Sequence, residues 1–218
     1  MNATEHEVTF RLLCEADLPL LTNWLAQPHV VEWWAGEDAS PTVEDTRSKY
    51  VPHMDEQSPV KAYIALLECE PIGFIQSYVA LGCGDGWWTE EIDPGVRGID
   101  QFLADGGKLG QGLGTRMVSA FTRRLLAESG VTKVQTDPDP RNARAIRCYA
   151  KSGFVPAGEI VTPDGPALLM VVEKGRLADA TSAAYLPLNS DPACIVFRSF
   201  SSFVFLGFVQ RLGAGGAG

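Results

Sequence analysis

The run Gly110-Gln-Gly-Leu-Gly-Thr115 directly precedes Met117, Val118, Phe121, Leu125 and Leu126, apolar residues recurring at helical spacing. A glycine-rich loop that opens a helix can turn backbone N–H groups towards an anion at the positive helix end. Two common phosphate fingerprints do not fit it. No Gly-Lys-Ser/Thr closes the loop, and Thr115 stands where a dinucleotide fingerprint places its third glycine. Taken alone, these glycines also suit a plain turn. Downstream, Arg116, Arg123, Arg124, Arg141, Arg144 and Arg147 supply positive charge for a polyphosphate, part of it simply helix surface. The five cysteines (14, 69, 83, 148 and 194) are odd in number and lack metal-ligand spacing, which argues against a disulfide framework and a zinc site. Cys148 has no histidine nearby in sequence to activate it and reads as a small core residue. His29 either reaches a cleft or caps the first helix.

The elements around that loop make a mixed α/β domain. Val8 to Leu13 reads as a first strand. Leu18, Leu21, Trp24 and Leu25 form one helical stripe, with Pro19 in the first turn and Pro28 closing the helix. Thr42 is placed to cap a second helix. Ala62–Leu67 and Pro71–Ala80 read as a hairpin, and 96–103 as a further strand in which Gly98 marks a bulge or a close backbone approach. Beyond the glycine loop come its helix, a short strand from Lys133, a helix over 142–151, and two closing strands. Residues 1–175 form this domain. Residues 176–218 are expected to be a poorly ordered extension, because the apolar run from Ala193 is interrupted by Arg198 and serines and reads poorly as a spanning helix.

The 218 residues carry a net charge of −9, which disfavours a nucleic-acid module. The charge is uneven. Residues 1–107 hold 19 acids and 5 bases, whereas 108–175 hold 6 acids and 10 bases, as two ligands of opposite charge would need. Met1-Asn-Ala-Thr-Glu-His-Glu lacks the basic start and apolar core of a signal peptide, so the expected setting is cytoplasmic.

The loop, the strand after it and Asn142-Ala-Arg-Ala-Ile-Arg-Cys-Tyr-Ala-Lys-Ser-Gly-Phe154 together resemble the GCN5-related N-acetyltransferases. The resemblance implies that family's fold, a mixed central sheet flanked by helices, with acetyl-CoA as cosubstrate and no metal. It assigns Gly110, Gln111, Gly112, Leu113, Gly114, Thr115 and Asn142 to coenzyme A, and places Tyr149 near the thioester sulfur. Leu109 departs from the Gln or Arg usual there. Further blocks narrow the likeness: His29-Val-Val-Glu-Trp-Trp34, Glu70 to Gly82, Gly84-Asp-Gly-Trp-Trp88, Asp93 to Gln101, Gln135-Thr-Asp-Pro138 and Thr162-Pro-Asp-Gly-Pro166. In order and spacing they resemble the aminoglycoside 6′-N-acetyltransferases over roughly residues 7–172.

Such enzymes imply a polycationic antibiotic substrate and a cleft lined with carboxylates. Asp85, Asp100, Asp137 and Asp164 are the matching acids, and Trp34, Tyr78 and Trp87 the matching walls. Asp85, Asp137 and Asp164 also stand in turn contexts, and one tryptophan of each adjacent pair is expected to be an anchor. The implied reaction is attack of a neutral amine on a thioester, which needs a proton acceptor, oxyanion donors and a donor to the leaving thiolate. Asp100 is the candidate base and Tyr149 the candidate acid, the latter otherwise a core residue beside Ile146. A backbone N–H beside the bulged strand would serve the oxyanion. Alternatives are acetylation of a protein amine and a non-catalytic binder that sequesters the drug. Oligomeric state is not legible.

Overall fold

The computed structural model describes residues 7–34, 40–84 and 86–175; Asp85 and the extension 176–218 lie outside the described residues. Seven strands, β1 (Val8–Leu12), β2 (Val60–Leu67), β3 (Glu70–Val79), β4 (Val96–Leu103), β5 (Lys133–Thr136), β6 (Val155–Thr162) and β7 (Gly165–Glu173), form one sheet in the order β1-β2-β3-β4-β5-β7-β6. Every neighbouring pair is antiparallel except β4 and β5.

Among the described residues, five α-helices cover the two faces: α1 (Leu18–Leu25), α2 (Pro28–Val31), α3 (Val43–Tyr50), α4 (Leu113–Ala127) and α5 (Ala143–Lys151). Pro28 ends α1 as expected, but it also starts α2, where its missing N–H is no loss. Thr42 caps α3 reciprocally: its Oγ1 accepts from Asp45 N at 3.2 Å, and Asp45 Oδ2 accepts from Thr42 N at 2.8 Å. On one face Leu18, Leu21, Val30 and Tyr50 pack on Ile64, Phe74 and Phe102. On the other, Val118, Phe121, Leu125 and Tyr149 pack on Ile75, Ile99 and Val134. Strand alternation therefore sends Asp100 and Gln101 to opposite faces. Among the described residues, no helix is long and apolar enough to cross a membrane.

The feature that positions a site is the short β4–β5 pairing. It runs only from Val96↔Lys133 to Gly98↔Gln135, while β4 stays paired with β3 through Leu103. After Thr136 the chain follows β7 instead, with Leu168 N donating to Pro138 O at 3.0 Å. Alternate backbone groups of Ile99 to Leu103 consequently face a gap, with no ladder partner there among the described residues. The bulge expected at Gly98 is not present, since the register Val79↔Arg97, Tyr78↔Gly98, Ser77↔Ile99 is unbroken. Close approach is what this glycine serves.

Candidate active site

The floor of the site is a ladder of cross-strand pairs on the α3 side of β3 and β4. Phe74 stacks on Phe102 with centroids 5.3 Å apart; Gln76 faces Asp100; Tyr78 faces Gly98. Gln76 Nε2 donates to Asp100 Oδ2 at 2.9 Å. Tyr78 lies over the bare α-carbon of Gly98, where an added Cβ would fall 2.2 Å from its Cζ. Trp88 Nε1 donates to the Tyr78 hydroxyl at 3.3 Å and ties the aromatic loop to this floor.

Three of the expected acids converge here. Asp100 comes from β4, Asp137 follows β5, and Asp164 sits in the β6–β7 turn. Burial pushes Asp100 up to about 6, Asp164 adds repulsion, and the Gln76 hydrogen bond and Lys49 pull it back. Asp137 is pushed up to about 8, first by burial and then by Asp100 and Asp164. Asp164 keeps an exposed side chain, yet burial raises it too, against the pull of Lys49. Tyr78 is held well above the usual phenol range by burial and by the charges of Asp100 and Asp137. A group of carboxylates raised by partial burial and mutual repulsion is arranged to receive cations and to take a proton.

Tyr149 approaches the β4–β5 gap from the other face. It is 5% exposed, its ring lies edge-on to Phe154, and its hydroxyl is within hydrogen-bonding reach of the Thr136 and Gln101 side chains. Burial, with Asp100 and Cys148, raises its pKa, which keeps the phenol protonated and able to donate. Cys148 packs against Thr115 Oγ1 at 3.8 Å, and burial pushes its thiol up as well, contrary to what a thiolate nucleophile requires.

The glycine loop opens the 15-residue α4. Gly110 (φ 75°) and Gly112 (φ 84°, the N-cap) adopt left-handed backbone, so the turn that presents the loop's N–H groups is available to glycine at little cost. Gly114 packs beside Cys148, and Ser152 Oγ donates to Thr115 O at 3.3 Å, which seats the loop on α5. Asn142 caps α5, its Oδ1 accepting from Ala145 N at 3.0 Å. Gln111 Nε2 donates to Gly107 O at 2.8 Å. A groove of about 520 Å³ runs beside the loop, lined by His29, Gly106, Leu109 and Arg144 among others. His29 neither caps α1 nor joins the acids: its Nε2 donates to Leu103 O at 2.8 Å and fixes the end of β4. Arg141 pairs with Asp139, and Arg124 lies over the Tyr63 ring, so these two arginines are committed to structure.

Of the tryptophans, Trp34 is an anchor as well as a wall, edge-on to Phe102 at 5.0 Å and donating from Nε1 to Tyr50 Oη at 3.3 Å. Trp87 packs beside Trp88, with ring centroids 6.4 Å apart, and Trp88 is the one tied by hydrogen bond to Tyr78. Gln76, Lys49, Tyr50, Gln101 and Thr136 were not singled out from sequence. Gln76 was within reach, lying two residues from Tyr78 on the same strand face; the others depend on packing.

The acetyltransferase (GNAT) domain profile matches residues 14–162. Aminoglycoside N(6′)-acetyltransferase type 1 of Klebsiella pneumoniae is 57% identical over 177 residues, covering 81% of this chain and 88% of that protein. The crystal structure of AAC(6′)-Ib with coenzyme A and kanamycin superimposes with a TM-score of 0.75 at 53% identity, over 81% of this chain and all of the other. AAC(6′)-Ib with ribostamycin and coenzyme A gives a TM-score of 0.77 at 54% identity, over 82% of this chain and 99% of the other.

Proposed function

Because this chain belongs to the acetyltransferase (GNAT) family, we propose that it transfers the acetyl group of acetyl-CoA to the 6′-amine of aminoglycosides and so confers resistance to them. The observation that carries this reading is the convergence of Asp100, Asp137 and Asp164 on one side of the β4–β5 gap, with the protonated Tyr149 on the other. Relatives bearing that activity, and solved structures holding coenzyme A with kanamycin or ribostamycin, support it.

Fit to acetyl-CoA rests on two features of this chain. The left-handed Gly110 and Gly112 leave the loop's N–H groups and the head of α4 to receive a pyrophosphate, and the unladdered edge of Ile99 to Leu103 offers backbone groups to an extended amide chain. Gly110 to Thr115 would hold the phosphates. Asn142 contributes by capping α5. Bound there, acetyl-CoA supplies an activated thioester with a good leaving group.

The residues of this chain divide the remaining work. Asp137 and Asp164 bind ammonium groups, and Tyr78 and Trp88 with Trp34 wall the ring system; Trp87 belongs to the adjoining loop. Asp100 takes a proton from the 6′-ammonium, directly or through a water. A carboxylate whose pKa sits near 6 is still ionised above neutrality yet more basic than an ordinary one. Tyr149 donates a hydrogen bond to the departing sulfur. Its raised pKa makes donation, with the proton largely retained, its natural contribution. Backbone N–H groups along the free edge of β4 serve the developing oxyanion. A reducing, cytoplasmic setting agrees with Cys14, Cys69 and Cys148 standing as thiols among the described residues.

Thiol release on mixing the protein with acetyl-CoA and kanamycin tests the proposal, alongside an analogue carrying a 6′-hydroxyl. Turnover of kanamycin alone is expected. Equal turnover of both overturns the regiochemistry, and turnover of neither overturns the enzyme reading.

A further inference from the structure

The His29 imidazole, carried on α2, is engaged on two sides by the end of β4 and the turn that follows it. Its Nε2 donates to Leu103 O at 2.8 Å. Ala104 N turns to Ile72 O on β3 at 2.9 Å, so by strand alternation the Leu103 carbonyl faces the β4–β5 gap. It is the last carbonyl of the unladdered edge. The ring also fills the space that a side chain at position 106 would need. A Cβ built on Gly106 falls 2.9 Å from His29 Nδ1 and 3.4 Å from both Cε1 and Cγ, and these three ring atoms are its nearest neighbours. Gly106 has no left-handed backbone to explain it, so the imidazole is what requires a glycine here. The ring cannot swing aside without giving up Leu103 O. His29 and Glu32 on one segment, and Gly106 and Leu109 on the other, line the groove of about 520 Å³. Residues 105–109 join the free edge to the glycine loop, so this groove continues one into the other.

We propose that His29 is a positioning residue for acetyl-CoA: it ends the backbone edge that the coenzyme's amide arm follows and fixes the groove through which the arm turns towards the glycine loop. An extended amide chain pairs with every free carbonyl an edge presents. His29 takes up the carbonyl of Leu103, which leaves Ile99 and Gln101 as the gap-facing residues whose carbonyls the arm can use. The arm therefore leaves the edge at a defined place, beside the turn that leads to Gly110. A histidine suits this role because a short, rigid ring carries its donor at the tip, so it holds α2 and β4 at a set spacing. The bare Gly106 lets the ring lie close enough to do so. Both contacts lie at the end of β4, beyond the Gln76–Asp100 pair, so their loss should register on the coenzyme and not on the aminoglycoside. This proposal rests on the acetyltransferase reading above.

The test measures coenzyme A and kanamycin binding separately by calorimetry, in wild type, His29→Ala, His29→Gln, Gly106→Ala and the double variant His29→Ala/Gly106→Ala. His29→Ala should raise the Kd for coenzyme A about three- to tenfold, the range of one hydrogen bond, and leave the Kd for kanamycin unchanged. His29→Gln keeps an N–H that can reach Leu103 O and should recover most of the loss. Gly106→Ala should weaken coenzyme A binding by pushing the ring off that carbonyl, yet add little in the His29→Ala background, where the ring is gone. An unchanged Kd for coenzyme A in a folded His29→Ala protein overturns the proposal. So does an equal loss of kanamycin binding, which would mark a general loosening of the fold, and so do additive effects of the two substitutions. Wild-type protein that binds coenzyme A without acetylating kanamycin overturns the functional reading alone, and the comparison of Kd values still decides the role of His29. Wild-type protein that binds no coenzyme A overturns both.

Discussion

The ring of Tyr78 rests on Gly98 so closely that a methyl group on that α-carbon would stand 2.2 Å from Cζ, well inside van der Waals contact. Gly98 also marks the last β4–β5 pair, so one contact joins the aromatic floor to the point where the strands part. Gly98→Ala should displace the ring and lower both stability and kcat/KM, with a stability loss of ~1–3 kcal/mol. The double variant Tyr78→Ala/Gly98→Ala should recover part of the stability relative to an additive pair, because the clash has gone, without recovering activity. Additive losses in thermal unfolding would show that the two residues are not coupled in this way.

Asp100→Asn should lower kcat/KM by ~10²–10⁴, the range of general acid–base catalysis. A base works only when ionised, so wild-type kcat/KM should rise with pH through about 6, the pKa to which burial pushes Asp100. That acid limb should vanish in the variant. Near-wild-type rates would remove Asp100 from the mechanism.

Away from the site, Arg11 grips Asp17 through two hydrogen bonds of 2.6 and 2.7 Å, and Cys14 N adds a third at 3.0 Å. These partners hold the Asp17 carboxyl below its usual range, the Arg11 hydrogen bond first among them. A depressed folded-state pKa contributes stability above the unfolded value of ~3.9, and that stability is lost as pH falls through the folded one. Asp17→Asn should therefore cost ~1–3 kcal/mol at neutral pH and progressively less below about pH 4. Denaturant titrations at the two pH values measure the difference.

Much of the scaffold is written in local patterns. Leu18, Leu21, Trp24 and Leu25 announce α1 by their period, Thr42 announces α3 by its cap, and the glycines at 110 and 112 announce a turn that only a left-handed backbone makes. Gly98 was ambiguous for a physical reason. A glycine in a strand serves a bulge or a close neighbour equally well, and only the register with β3 separates them. The acids are a different case: Asp137-Pro138 and Asp164-Gly165 look like turns, and they are drawn to Asp100 by the family resemblance and by topology rather than by spacing. Lys49 carried no signal, and Gln101 only that of closing a family block, because their significance comes from which elements pack beside them.

Tyr149→Phe keeps the ring against Phe154 and removes only the hydroxyl that reaches Thr136 and Gln101. The fold should be unaffected in its thermal midpoint by more than a few degrees. Turnover should fall about 10²-fold while KM moves little, since the lost interaction is one made to a departing group. A change confined to KM would recast Tyr149 as a binding residue.

Asp137 offers a test that needs no chemistry. Its carboxyl is pushed up to about 8, so in the empty protein it is mostly protonated at pH 7. An ammonium seated beside it favours the charged carboxylate and lowers that pKa, and the displaced proton must leave the protein. Kanamycin binding at pH 7 should therefore release up to about one proton, and the release should fade above pH 9, where Asp137 is already ionised. Calorimetry in buffers of different ionisation enthalpy reads this directly as a buffer-dependent heat. Asp137→Asn should abolish most of that dependence and weaken binding, because the amide keeps the shape and loses the charge. A wild-type heat independent of buffer would mean that Asp137 is already charged when the drug arrives.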